Sequence, residues 1–211
     1  MIGAGGIEEL IFNIVNALRV PVLVGALAAL VITLFDLGAF FFELVRRNRR
    51  DAPDLLQQAS AEARQALAAG DETAATQALL PCATSAPMAD ALTDIVDRVG
   101  EQNQADKMAK VLADFDLTSM RKLERTRMMV RFGPALGLMG TLIPLSPALE
   151  GLAQGNTKLL SDNLRVAFSV TVVGLLVGAV AFAVSLVRDR MYSQDLSDLE
   201  YVATTLTPEQ R

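Results

Sequence analysis

The sequence predicts an all-α integral membrane protein with three spanning helices, an N-terminal interfacial segment and a helical insert between the first two spans. Three observations predict it. The chain of 211 residues is 52% hydrophobic, with a mean hydropathy of +0.35, more apolar than a soluble domain of this length. Its apolar residues gather in three long runs, and about 20 helical residues suffice to cross the hydrocarbon of a bilayer. The polar remainder shows helical spacing punctuated by glycine and proline, with little β signal.

Composition also excludes several classes. A net charge of −5, from 19 basic and 24 acidic residues, argues against a nucleic-acid surface. Cys82 is the single cysteine, so no internal disulfide forms, and it reads as a small inert apolar residue. The chain has no histidine, which removes imidazole acid–base chemistry and the usual ligands of zinc and haem. No cofactor is expected, and no nucleophile–base spacing suggests an enzyme. GxxxG inside an apolar helix is not a nucleotide fingerprint.

Residues 1–19 place Ile7, Leu10, Ile11, Ile14, Val15 and Leu18 at helical spacing. The first charges are Glu8 and Glu9, whereas a secretory signal opens on basic residues. The segment reads as an amphipathic helix at the membrane surface or as an extension of the first span. Residues 20–45 form that span. It ends at Arg46, Arg47, Arg49 and Arg50, which makes this end cytoplasmic and the N-terminus outside. Asp36 interrupts the run. With the membrane edge at Arg46 it lies roughly 15 Å in; with the span starting at Arg19 it lies near the cytoplasmic interface. A carboxylate at membrane depth is a functional candidate, and a solvated interfacial Asp is the plain alternative.

Residues 46–131 read as a cytoplasmic helical domain. Asp54 can cap a helix that stops at Gly70, Asp71 a second that stops at Pro81, and Ser85 precedes a third that ends by Gly100. From Glu101 no proline or glycine appears until Gly133, so one helix runs from the insert into the membrane. Arg121, Lys122, Arg125, Arg127 and Arg131 mark its approach. The second span is 132–152, a short outer loop covers 153–165, the third span is 166–187, and 188–211 is a polar cytoplasmic tail.

The second span combines apolar bulk with Pro134, Pro144, Pro147, Gly133, Gly137, Gly140, Thr141 and Ser146. Helical spacing gathers Gly133, Gly137, Gly140, Thr141, Pro144 and Ala148 on one side. The third span gathers Ala167, Thr171, Gly174, Gly178, Ala181 and Ser185. Small residues at this spacing permit close helix packing. The hydroxyls of Thr141 and Thr171 can orient water or bond a carboxylic acid, or simply satisfy themselves on their own backbone. Ser169 is a further hydroxyl in the same span. Neither span holds a buried carboxylate of its own, Glu150 standing at the outer end of the second, so a proton path here borrows its acid from a partner.

At these residues the chain resembles the MotA/TolQ/ExbB proton channel family. The stretch Pro134-Ala-Leu-Gly137-Leu138-Met-Gly140-Thr141 is similar to its P-x-x-G-L-x-G-T, and Thr171-Val-Val-Gly174-Leu175 to its T-x-x-G-L. The three-span layout with a cytoplasmic insert resembles TolQ and ExbB rather than the four-span MotA. Three departures stand out, one of them the additional breaks at Pro144 and Pro147 in span two. TolQ and ExbB carry a glutamate five residues before the span-three threonine, where this chain has Val166. They also carry a proline after that motif, where this chain reads GAVAFAV.

The resemblance implies a homopentamer in a prokaryotic inner membrane, enclosing two copies of a single-span partner like ExbD, TolR or MotB. Each partner supplies a membrane Asp, and ion flow drives mechanical work. Thr141 and Thr171 become the pore-lining hydroxyls, with Gly133, Gly137, Gly140, Pro144, Gly174 and Gly178 packing along the pore face. The ion is H⁺, with Na⁺ also compatible with hydroxyls. A non-conducting oligomeric scaffold remains the alternative.

Overall fold

The computed structural model describes residues 4–47 and 53–207. Arg49 and Arg50, and the tail beyond 207, lie outside the described residues. Among the described residues seven α-helices follow in order: α1 (Ala4–Ala17), α2 (Arg19–Arg47), α3 (Pro53–Ala68), α4 (Glu72–Leu79), α5 (Ala86–Asp97), α6 (Gln104–Ala153) and α7 (Thr157–Leu206). Among the described residues there is no strand. Within those described residues three helical stretches are long and apolar enough to cross a membrane: Gly6–Val45, Gln104–Ala153 and Thr157–Leu206. The first includes α1, because i→i−4 bonds continue through Leu18: its N–H donates to the Ile14 carbonyl at 3.1 Å, and the Val22 N–H to the Leu18 carbonyl at 3.0 Å.

The chain divides into two compact units. The first comprises residues 1–39 and 125–185, the second residues 40–124 and 186–211.

In the first unit many of the buried positions are alanine or glycine, beside Val22, Ile143, Val177 and Val184, and most leucines and phenylalanines face outward. Ala26, Ala29, Ala148, Ala167 and Ala181 are buried, while Leu27, Phe35, Leu138, Leu142, Phe168 and Phe182 are exposed. A water-soluble fold does the reverse; this arrangement suits a lipid surround, where large apolar side chains need no burial. The helix α6 passes through Pro134, Pro144 and Pro147 without ending. Prolines are tolerated in spanning helices because neighbouring groups compensate the lost bonds. The turn between α6 and α7 covers only Gln154–Asn156, much shorter than the 153–165 loop expected. Gly155 takes φ +70° there, and the Asn156 carboxamide oxygen accepts from the Leu159 N–H at 3.0 Å, which starts α7 early. Arg19 donates to the Asn163 side chain at 2.9 Å, fastening α2 to α7.

The second unit has a core of the water-soluble kind. Leu79, Met88, Leu92, Ile95, Leu199 and Val202 are fully buried. Asp71 caps α4 by accepting from the Ala74 N–H at 2.9 Å, and Ser85 caps α5 by accepting from the Met88 N–H at 3.4 Å. Asp54 falls in the first turn of α3, because Pro53 already occupies the opening helical position. Pro81 lies within a 3-10 turn, Leu80–Cys82.

The segment expected as a polar tail is helix to Leu206. Leu196, Leu199, Val202, Ala203 and Leu206 share a face that packs into this core. Their i, i+3, i+7 spacing is hidden in a polar average, since every other face is charged or hydroxylated.

One buried ion pair joins three elements of the second unit. The Arg47 guanidinium meets Asp195 through two nitrogens, at 2.7 Å and 3.1 Å, and also donates to the Met191 carbonyl at 3.0 Å. The Thr84 hydroxyl donates to the same carboxylate at 3.0 Å. Burial pushes the Asp195 carboxyl above its ordinary value, while Arg47 and Thr84 pull it down. Nearby in this unit, Arg188 pairs with Glu43 at 3.5 Å and lies 5.8 Å from the Phe40 ring centroid.

Candidate functional site

The glycines expected along the pore face meet each other inside the chain. A Cβ on Gly133 would stand 2.8 Å from both the Gly174 carbonyl oxygen and the Gly178 nitrogen. One on Gly174 would stand 2.5 Å from the Gly133 carbonyl oxygen and 2.7 Å from the Gly137 Cα. Those neighbours are backbone atoms, so neither position has room for a methyl group. Gly140 closes on Val170, and Gly178 lies against the Pro134 ring. Pro134 cannot donate to the Val130 carbonyl, and the small residue on α7 fits beside that ring. Gly133, Gly137, Gly140, Gly174 and Gly178 are all buried, as is Pro144. In this chain the five glycines form the seam between α6 and α7.

The two threonines lie along this seam, both half-buried. The Thr171 hydroxyl is 2.9 Å from the Ala167 carbonyl of its own helix and 3.3 Å from the Gly137 carbonyl of α6. The Thr141 hydroxyl donates to the Leu138 carbonyl at 2.7 Å. Thr141 is one helical turn beyond Gly137, so the two hydroxyls occupy adjacent turns of one crossing. Ser169, by contrast, is exposed and donates to the Arg165 carbonyl at 2.8 Å.

This geometry decides what the pair can do. A hydroxyl has one donor and two acceptor lone pairs. Both donors are spent on backbone carbonyls, so the remaining capacity is to accept. A neutral carboxylic acid, or a water, can donate to these oxygens without breaking a bond. A carboxylate needs a donor, and each threonine must first leave its carbonyl to supply one. The charge-free surroundings sharpen the difference: α6 from 132 to 149 and α7 from 166 to 187 contain no ionisable side chain.

Asp36 sits elsewhere in the same unit. It is half-buried on the face of α2 that also buries Val22, Ala26, Ala29 and Thr33. With Thr33 it lines a recess against Thr126 and Met129 of α6 and Val180, Ala181 and Val184 of α7. Thr126 lies between Arg125 and Arg127, so Asp36 is level with the basic group of α6. Along that helix the recess is ~22 Å from Thr141. The buried hydroxyls of Thr33 and Thr126, at 4% and 2% exposure, were not singled out in the sequence. The signal was there: Ala26, Ala29, Thr33 and Asp36 recur every three or four residues.

Among the described residues no cluster of metal-ligating side chains occurs. Residues 82–200 match the MotA/TolQ/ExbB proton channel family. The match takes in α5, all of α6 and α7 as far as Glu200; α2 lies outside it. No curated protein matches the chain.

Proposed function

The chain belongs to the MotA/TolQ/ExbB proton channel family, a family of membrane channel subunits, and on that premise we propose that it couples ion flow to mechanical work. The pair of Thr141 and Thr171 on the α6–α7 seam carries the reading. Five copies surround two single-span partners, and each partner's membrane Asp reaches the hydroxyls as a neutral acid. The free lone pairs accept the hydrogen bond that its O–H donates while it travels. Once the acid has given its proton to water on the far side of the membrane, its carboxylate finds no donor on the seam, which drives it onward. The N-terminus is outside and residues 46–131 lie in the cytoplasm, the side marked by the arginines.

The ion is H⁺ on this account, since a hydroxyl that only accepts favours a neutral acid over a bare carboxylate. Affinity purification from native membranes is expected to recover a small protein with one apolar span containing an Asp. Recovery of this chain alone would remove the partner and with it the mechanism.

One observation favours a second reading, a non-conducting scaffold. Gly133, Gly137, Gly140, Gly174 and Gly178 are all consumed in contact between α6 and α7, and both hydroxyls are satisfied on backbone. A scaffold predicts that Thr→Ala changes at both positions are tolerated and that vesicles containing the purified complex show no proton uptake.

A further inference from the structure

The Thr33 hydroxyl oxygen is buried with no hydrogen-bond partner. A threonine in a helix normally rests its hydroxyl on the carbonyl three or four residues back, as Thr141, Thr171, Ser169 and Ser185 do here. Leaving a buried hydroxyl unpaired is costly. It lines a recess whose one ionisable member is Asp36, three residues on along the same face. The other polar lining group is the buried Thr126, and the remaining walls are Met129, Val180, Ala181 and Val184.

We propose that Asp36, held by Thr33 and Thr126, is a proton-binding site of this chain, distinct from the threonine pair on the seam. It rests on the proton-channel reading for its place on a pathway, and on the recess alone for its ability to bind. The occupant follows from the space. The recess has no room for a water-sized guest, so a hydrated cation is excluded. A bare hard cation is held by a shell of several oxygens, and the lining here is mostly hydrocarbon. A proton needs neither room nor a shell.

The orphaned hydroxyl suits both states. When Asp36, half-buried, takes a proton from water outside the recess, its new O–H donates to the Thr33 oxygen. When it returns the proton to water, the Thr33 hydroxyl turns and donates to the carboxylate. No other charged group lines the recess. On α6 the flanking charges are Arg125, Arg127 and Arg131, all exposed; on α2 and α7 the next charges onward are Glu43 and Arg188, which pair with each other. A carboxylate beside exposed arginines, at the end of the unit marked by basic residues, is placed to collect or deliver protons at that mouth.

The binding test needs no partner. The full chain in lipid vesicles is examined by infrared difference spectroscopy between acidic and neutral pH. A protonated-carboxyl band is expected in the wild type, lost in Asp36→Asn, retained in Asp36→Glu, and moved to higher frequency in Thr33→Val, whose isosteric side chain preserves packing. Superimposable wild-type and Asp36→Asn spectra would overturn the site, and an unmoved band in Thr33→Val would overturn its assignment to this recess. With the partner present, Asp36→Asn is expected to lower proton uptake and Asp36→Glu to restore it; unchanged uptake in Asp36→Asn overturns the role on the pathway. A wild-type complex that shows the band but no uptake overturns the channel reading and leaves the binding site standing.

Discussion

The two units of this chain solve packing in opposite ways. The first brings backbones together over Gly133, Gly137 and Gly174 and turns its leucines and phenylalanines outward. The second buries Leu79, Ile95, Leu199 and Val202 completely. Lipid explains the contrast. Burying a leucine from water is worth about 1.5–3 kcal/mol, but between lipid and protein that gain vanishes and close contact takes over. Polar groups divide the same way. The second unit buries a bidentate Arg47–Asp195 pair; the seam of the first holds only hydroxyls resting on carbonyls. One region fixes its charges in place, and the other keeps its seam empty of charge. An ion that must move belongs in the second kind of setting.

The contrast can be broken or sharpened, beginning with the largest effect. Arg47→Met alone leaves Asp195 buried without its cation and is expected to cost about 3–5 kcal/mol. Replacing both, as Arg47→Met with Asp195→Leu, is expected to recover most of that loss in thermal unfolding. A double variant as damaged as the single would show that the pair stabilises beyond its own desolvation. Next, Leu199→Ala should destabilise the second unit by about 2–5 kcal/mol, read by unfolding in detergent. If it is silent, the end of α7 is not the core element described.

Gly174→Ala should cost about 1–3 kcal/mol through overpacking against backbone, with loss of α6–α7 cross-linking as the readout. Free tolerance would mean that close approach is not what holds the first unit. The smallest effect is a titration. Burial first, and then the nearby negative charge of Glu43, raise the Tyr192 phenol from 10.0 to about 12. Its stabilising contribution is therefore complete below pH 10 and lost as pH rises through about 12. Tyr192→Phe should remove the later tyrosinate step in an absorbance titration, and removal of an earlier step would contradict the burial described.

Much of this was legible in the residues because the signals are local. Asp71, Ser85, Gly70 and Gly100 act where capping and left-handed turn chemistry put them. The family was legible because Gly137, Gly140, Thr141, Thr171 and Gly174 stand in a fixed order. Less local facts were not legible. That Gly133 faces Gly174 rather than a neighbouring copy depends on how two helices cross, which spacing along one helix cannot say. That Arg47 finds Asp195, 148 positions away, depends on the second unit's fold. The core face of α7 beyond Arg188 was masked by its polar average, and Thr33 looked ordinary until its hydroxyl proved to have no partner.

The central claim is that the hydroxyls of the seam serve a moving proton rather than the fold. Thr171→Val removes one cross-helix hydrogen bond, worth about 0.6 kcal/mol and at most ~2 kcal/mol in a membrane, so the assembly should survive it. Proton uptake into vesicles holding the complex with its partner is therefore the direct measurement, made on the wild type, Thr141→Val and Thr171→Val at equal amounts of assembled complex. Uptake in the wild type that is lost in both variants, with assembly intact, is the predicted result. Undiminished uptake in both variants would contradict the account.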